Sequence, residues 1–204
     1  DLINDAHEEH QWHEWFMAGG YIHRTLPSMM VPGNHEYRPF VQQDIDENIK
    51  RLSVQWNKQF TLPNNGVMGI KETNYYIDYQ GVRFLFLNSN MMIEEQAKWL
   101  EQVLKNNQNK WTVATFHHPI FSASRGRDNE ELRTLWKPIF DKYGVDIALQ
   151  GHDHTYTRGR VQPYEQNLLS GQNVKDATGT VYVVSVSGGK MYRVKPGWEQ
   201  YEAL

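Results

Sequence analysis

The sequence predicts a single domain of the α/β (α+β) class, on three observations. Segments with helical spacing alternate with short strand-like runs, without internal repeats or low-complexity linkers. Three of those runs end in polar loops that carry histidine. At 204 residues, 39% hydrophobic and 13% aromatic, the chain has the length of one domain and the apolar content for a sizeable core.

Trp12, Trp15, Phe16, Gly19 and Ile22 recur at helical spacing and predict an amphipathic helix from Asp5 to about Arg24. Met29, Met30 and Val31 form a short apolar run, read as a buried strand over Ser28 to Pro32 that delivers Gly33-Asn34-His35-Glu36. A second helical region covers roughly Asp44 to Gln59. Asn74 to Tyr79 and Val82 to Leu87 are β-rich runs separated by Gln80-Gly81, the pattern of a hairpin. Glu94 to Asn106 places Ala97, Leu100, Val103 and Leu104 on one helical face. Trp111 to Phe116 reads as a strand ending at His117-His118-Pro119. Glu130 to Tyr143 reads as a helix, with Gly144 where a C-terminal cap belongs. Val145 to Leu149 is a strand ending at Gly151-His152-Asp153-His154. Val181 to Val186 is the last, running into Ser187-Gly188-Gly189.

Composition narrows the function. A formal charge of -3 and a pI near 6.3 lack the basic footprint of nucleic-acid binders, so no nucleic-acid partner is expected. Without cysteine there is no disulfide, thiolate site or cysteine nucleophile, and any metal must be held by His, Asp, Glu or Asn. No stretch reaches the ~18 apolar residues of a membrane span.

The three histidine loops carry the chemistry. In layered α/β folds, loops at the carboxyl ends of strands converge on one site. Taken alone, each has an ordinary reading. Gly33-Asn34 favours a turn, although an amide oxygen is also an acceptable ligand for a hard or borderline cation. His117 fits a core histidine with satisfied ring nitrogens as well as a strand-end ligand. His152 and His154 fit a surface pair as well as ligands aimed at one or two metals. His7, His10 and His13 spread over ~120° of a helix without the His-Glu-x-x-His order, and read as a solvated face. Ser187-Gly188-Gly189 lacks the Gly-Lys-Ser/Thr of a nucleotide loop.

Together, Gly33-Asn34-His35-Glu36, the strand-end His117 and Gly151-His152-Asp153-His154 resemble, in order, the motifs of the calcineurin-like metallophosphoesterase superfamily, in its purple-acid-phosphatase-like branch. The resemblance extends over Asn74 to Asn88, Gln96 to Leu104 and Val181 to Gly189. It implies a four-layer αββα sandwich. Asp1-Leu2-Ile3-Asn4 then resembles the family's Gly-Asp motif entered just after its glycine. On that reading residues 1–204 form one catalytic domain lacking its N-terminal part and first strand or strands.

What the resemblance implies about the site is specific. One metal takes Asp1, Asn34, His117 and His152; the other takes Asp1 and His154, with its remaining ligands on an Asp-x-His strand absent from this sequence. The cofactors are divalent zinc, iron or manganese ions, two in the intact domain. Where purple enzymes place a tyrosine, this chain has Asn4, which favours ordinary divalent ions. The implied reaction is two-metal hydrolysis of a phosphomonoester, from a small molecule or a protein, by water activated between ions ~3.5–4 Å apart. His35 takes a catalytic role at the phosphate or leaving oxygen, with Glu36 or Asp153 orienting it. Relatives often carry a further histidine about ten residues after the strand-end one; here Arg125 and Arg127 stand in that neighbourhood. A guanidinium suits a phosphate but is no general acid. His118 reads as packing or as support for the ligands. Relatives are often exported, which fits a periplasmic or secreted home. Two alternatives stay open: a folded, non-catalytic fragment holding at most one metal, and a phosphodiesterase of the same fold.

Overall fold

The computed structural model describes residues 1–37, 51–160, 179–186 and 188–196. Its centre is a six-stranded mixed sheet of order β1-β2-β3-β4-β6-β5. The strands are β1 (Tyr75–Tyr79), β2 (Val82–Phe86), β3 (Trp111–Thr115), β4 (Ile147–Gln150), β5 (Thr157–Arg160) and β6 (Val181–Val184). The helices are α1 (Glu9–Gly19), α2 (Tyr21–Thr25), α3 (Trp56–Gln59), α4 (Ile93–Lys105), α5 (Glu130–Leu135) and α6 (Lys137–Tyr143). The α/β class holds, and the described residues contain one sheet of the expected sandwich.

β1 and β2 form the expected antiparallel hairpin, closed by Gln80 and Gly81 at φ 48° and 79°. From β2 the sheet is parallel through β3, β4 and β6, so those strands end on the same edge. Side chains alternate across β2. Leu85 and Leu87 join a core with Trp99, Leu100, Phe116, Trp136 and Phe140 under α4–α6. Phe84 and Phe86 face the other way, toward Trp12, Trp56, Phe60 and Tyr75. Apolar burial on both faces fixes the register, because a slip of one residue would exchange the two sets.

Several expected elements differ. The predicted helix from Asp5 to Arg24 starts at Glu9 and breaks at Gly20, whose φ of 50° a helix cannot continue. The run from Ser28 to Pro32 is no strand: it is bracketed by Pro27 and Pro32, which lack a ladder donor, and has no partner strand among the described residues. Tyr75 Oη donates instead to the Met30 carbonyl at 2.7 Å. Of the helix expected from Asp44 to Gln59, residues 44–50 lie outside the described residues, and only Trp56–Gln59 is helical beyond them. The helix from Glu130 to Tyr143 divides at Trp136, because Pro138 brings no N–H to the turn before it. Gly144 caps it in the left-handed conformation expected, at φ 65° and ψ 47°. The last strand stops at Val184, and Ser187 lies outside the described residues. β5 was not expected: Thr-Arg-Gly-Arg shows no apolar alternation, and its pairing with β6 supplies what its residues do not. No helix among the described residues is long and apolar enough to cross a membrane.

Candidate metal centre

The common edge where the parallel strands end carries the site. The backbone ladder continues past the strands there. Phe116 N–H donates to the Leu149 carbonyl at 3.1 Å, and Gly151 N–H to the His117 carbonyl at 3.0 Å. The loops after β3 and β4 therefore leave the sheet side by side. The 33–36 loop is drawn to the same edge through β2's own exit: Asn90 Nδ2 donates to the Pro32 carbonyl at 3.1 Å, and Asn88 Nδ2 reaches Tyr37 Oη at 2.6 Å.

Asp1 is fixed next. A side chain on Gly33 would put its Cβ 2.2 Å from Asp1 Oδ1, so only glycine admits this approach. Glu36, fully buried, holds the arrangement. Its Oε1 accepts from Leu2 and Ile3 N–H at 2.9 and 3.4 Å, and its Oε2 from Gly33 N–H at 2.6 Å. Glu36 thus clamps two segments of backbone rather than orienting His35. Asp153 is likewise a buried clamp, its Oδ2 accepting from Ser122 Oγ at 2.6 Å and Ser124 N–H at 3.2 Å.

Four ligand atoms converge. His117 Nε2 lies 3.0 Å from Asn34 Oδ1, 3.0 Å from His152 Nδ1 and 3.3 Å from Asp1 Oδ1. His152 Nδ1 lies 2.9 Å from Asn34 Oδ1. Hydrogen bonds alone do not account for this set. Each imidazole nitrogen carries at most one hydrogen and the two oxygens none, so four contacts share at most two hydrogens. A cation satisfies all four at once. Metal–ligand bonds of about 2.0–2.1 Å separate neighbouring ligand atoms by about 3.0–3.4 Å, close to the spacing here. An N/O set without sulfur suits zinc, iron or manganese.

The electrostatics agree. Burial holds His117 well below its usual 6.5, and burial, then His118 and Arg127, pushes His152 down to about 3. Both shifts favour the neutral imidazole, the form that can ligate a metal. His152 also sits at φ 65°, a region non-glycine residues rarely occupy. Such strain persists where surrounding contacts impose it, as at binding sites.

The remaining predicted residues surround this cluster. His35 N–H donates to Asp1 Oδ1 at 2.9 Å, its Nδ1 contacts the Asn4 carbonyl, and its Nε2 stands 3.8 Å from Asp1 Oδ2. Arg127 donates to the His152 carbonyl at 2.8 Å, with its guanidinium 4.9 Å from the Tyr192 ring centroid. Arg125 is exposed nearby. His154 stands outside these four contacts. Its Nδ1 donates to the Lys190 carbonyl at 2.8 Å, and its ring lies 4.8 Å from that of Tyr192.

His118 belongs to the site more fully than its sequence reading allowed. Its ring lies 4.9 Å from His117 and 4.4 Å from His152, and its Nδ1 is 2.9 Å from Ser89 Oγ. His117, His118 and His152 offer ligand atoms within 4.8 Å of one another. Strand alternation would send neighbours 117 and 118 to opposite faces, but β3 has ended at Thr115 and both turn to the site. The available signal was the doublet itself.

A family model described as calcineurin-like phosphoesterase matches residues 1–156. The chain belongs to the calcineurin-like phosphoesterase family. Within that family its similarities lie with purple acid phosphatases. Purple acid phosphatase 15 of Arabidopsis thaliana is 28% identical over 195 residues, spanning 90% of this chain and 34% of that protein. Fe(3+)-Zn(2+) purple acid phosphatase 12 of the same plant is 27% identical over 197 residues, spanning 90% and 40%. The solved purple acid phosphatase from yellow lupin (Lupinus luteus) seeds superposes with a TM-score of 0.67 at 23% identity, over 95% of this chain and 37% of that one. The chain thus spans roughly a third to two fifths of the length of these relatives.

Proposed function

We propose that this chain forms the metal-holding half of a phosphoesterase centre that hydrolyses phosphomonoesters, with Asp1, Asn34, His117 and His152 holding a divalent ion. The observation that carries this reading is the convergence of four ligand atoms at 2.9–3.3 Å, more contacts than their hydrogens can satisfy. When bound, such an ion supplies positive charge to phosphoryl oxygens and lowers the pKa of water toward 7. The relative named as an Fe(3+)-Zn(2+) enzyme supports ions of this kind.

The chain's own residues divide the remaining work. Glu36 keeps Asp1 against Gly33, which holds the carboxylate in the cluster. His35, with its Nδ1 on the Asn4 carbonyl, presents Nε2 beside Asp1. As an imidazolium it gives a hydrogen to a phosphate or leaving oxygen, and the Asp1 carboxylate is placed to pair with that charge. His118, steadied by Ser89, stands beside His117 and His152. Arg127 fixes the His152 backbone through its carbonyl.

The test is hydrolysis of p-nitrophenyl phosphate, and of bis(p-nitrophenyl) phosphate for diester activity, after zinc or manganese addition. Metal-dependent turnover of the monoester, lost in Asn34→Ala, is expected. A folded metal-binding module without turnover is the second reading, favoured by one observation: His154 is engaged by Lys190, outside the four-atom cluster. Retained zinc with no turnover of either ester selects that reading.

A further inference from the structure

Next to the cluster, between the 124–127 loop and the 192–196 segment, lies a cavity of about 590 Å³. Arg125, Arg127 and Arg193 line it, and no carboxylate does. Among the described residues none of the three arginines is in an ion pair. Two acids stand near it, and Asp153 keeps one carboxylate oxygen, Oδ1, without a hydrogen-bond partner. Asp128 forms a two-pronged pair with Arg133 at 2.7 and 2.8 Å, and Asp153 is buried against Ser122 and the Ser124 amide. Ser124 also lines the cavity; the residue is 3% exposed and its hydroxyl, itself buried, has no hydrogen-bond partner. A buried hydroxyl without a partner costs free energy that a ligand oxygen would recover. In a chain of net charge -3, three guanidiniums lining one cavity, with an orphan hydroxyl in its wall, favour an anion there. Tyr192, Val194 and Pro196 supply an apolar wall for a carbon skeleton.

The cavity is coupled to the metal centre through shared walls. Arg127 donates to the carbonyl of His152, and Tyr192 N–H donates to the carbonyl of His154 at 2.7 Å. We propose that this cavity receives a second anionic group, a phosphate or carboxylate, of the same ester whose scissile phosphate meets the metal cluster. The substrate class is then phosphoesters bearing two anionic groups, a specificity that rests on the reading of the cluster given above. Arg193 is the determinant farthest from the cluster's ligands in sequence and makes no contact with them.

Non-hydrolysable probes test this without requiring turnover. The zinc-loaded chain is titrated calorimetrically with propylphosphonate and with α,ω-alkanediphosphonates of three to six carbons. At least one diphosphonate is expected to bind about tenfold tighter than the monophosphonate, the scale of one charge-assisted contact. Arg193→Glu should remove that preference and Arg193→Ala reduce it, with propylphosphonate affinity little changed in both. Equal affinity for all probes in the unsubstituted chain overturns the proposal, as does a preference that survives Arg193→Glu. Failure of the metal-centre reading appears separately, as zinc that does not bind or p-nitrophenyl phosphate that is not turned over.

Discussion

His152 and His154 stand two residues apart on one loop, yet the fold treats them in opposite ways. His152 meets Asn34 and His117 at 2.9–3.0 Å, in a cluster whose loops continue a parallel-strand ladder. His154, half-buried like His152, leans on Lys190 and Tyr192, in a segment joined to the body by bonds such as Lys195 N–H to the Ala123 carbonyl. One side of the site is gathered at the sheet edge around the buried His117, and the other leans on residues 190–192. Ligands set on rigid elements need little reordering to bind a metal, whereas those on loops must be ordered as they bind.

The largest effect should come from cutting the built side. Asn34→Ala is expected to weaken zinc binding more than about 100-fold, since even losses behind the ligands cost 10–100-fold. Competition with a chelating dye measures this. Glu36→Gln comes next. It removes a charged acceptor from three backbone amides, which costs about 1–3 kcal/mol of stability, read as a lower melting temperature of the metal-free chain. Zinc affinity should fall with it, because Asp1 is released. Arg127→Ala should cost about 1 kcal/mol in zinc binding, through the lost bond to the His152 carbonyl. His154→Ala should leave zinc affinity within titration error; a loss as large as that of Asn34→Ala would erase the contrast between the two sides.

The smallest effect is expected far from the site, in the β1–β2 hairpin. Hydrogen bonds from Arg83 hold the Asp78 carboxyl below its usual 3.8. A depressed carboxylate stabilises the fold above the unfolded pKa and loses that contribution as pH falls below it. Asp78 is partly exposed, so the contribution is at most ~1 kcal/mol. Asp78→Asn should lower the melting temperature slightly at pH 7, with the difference from the parent shrinking below about pH 4. Zinc binding should not change.

Much of this was legible in the sequence. Gly33-Asn34-His35-Glu36, His117 and Gly151-His152-Asp153-His154 mark the candidate site, because glycine, amide and imidazole have few other reasons to recur together in that order, although only the last two follow strands. Gln80-Gly81 and the α4 face were equally plain, since turn chemistry and helical period are local signals. What depended on tertiary context was not legible. Ser28 to Pro32 has strand composition without a strand partner among the described residues, and β5 has a partner without strand composition. Glu36 accepting from Leu2 and Ile3, His118 against Ser89, and the engagement of His154 by Lys190 are each made by residues at least 29 positions apart. Motif spacing carries no trace of such contacts.

Zinc stoichiometry is the most direct test of the four-atom cluster. The metal-free chain and Asn34→Ala would be loaded with excess zinc, desalted, and assayed by elemental analysis beside circular dichroism to confirm folding. Close to one tightly held zinc per chain, absent from the folded Asn34→Ala variant, is the expected result. Zinc retained equally by both, or by neither, would contradict a metal centre built from Asp1, Asn34, His117 and His152.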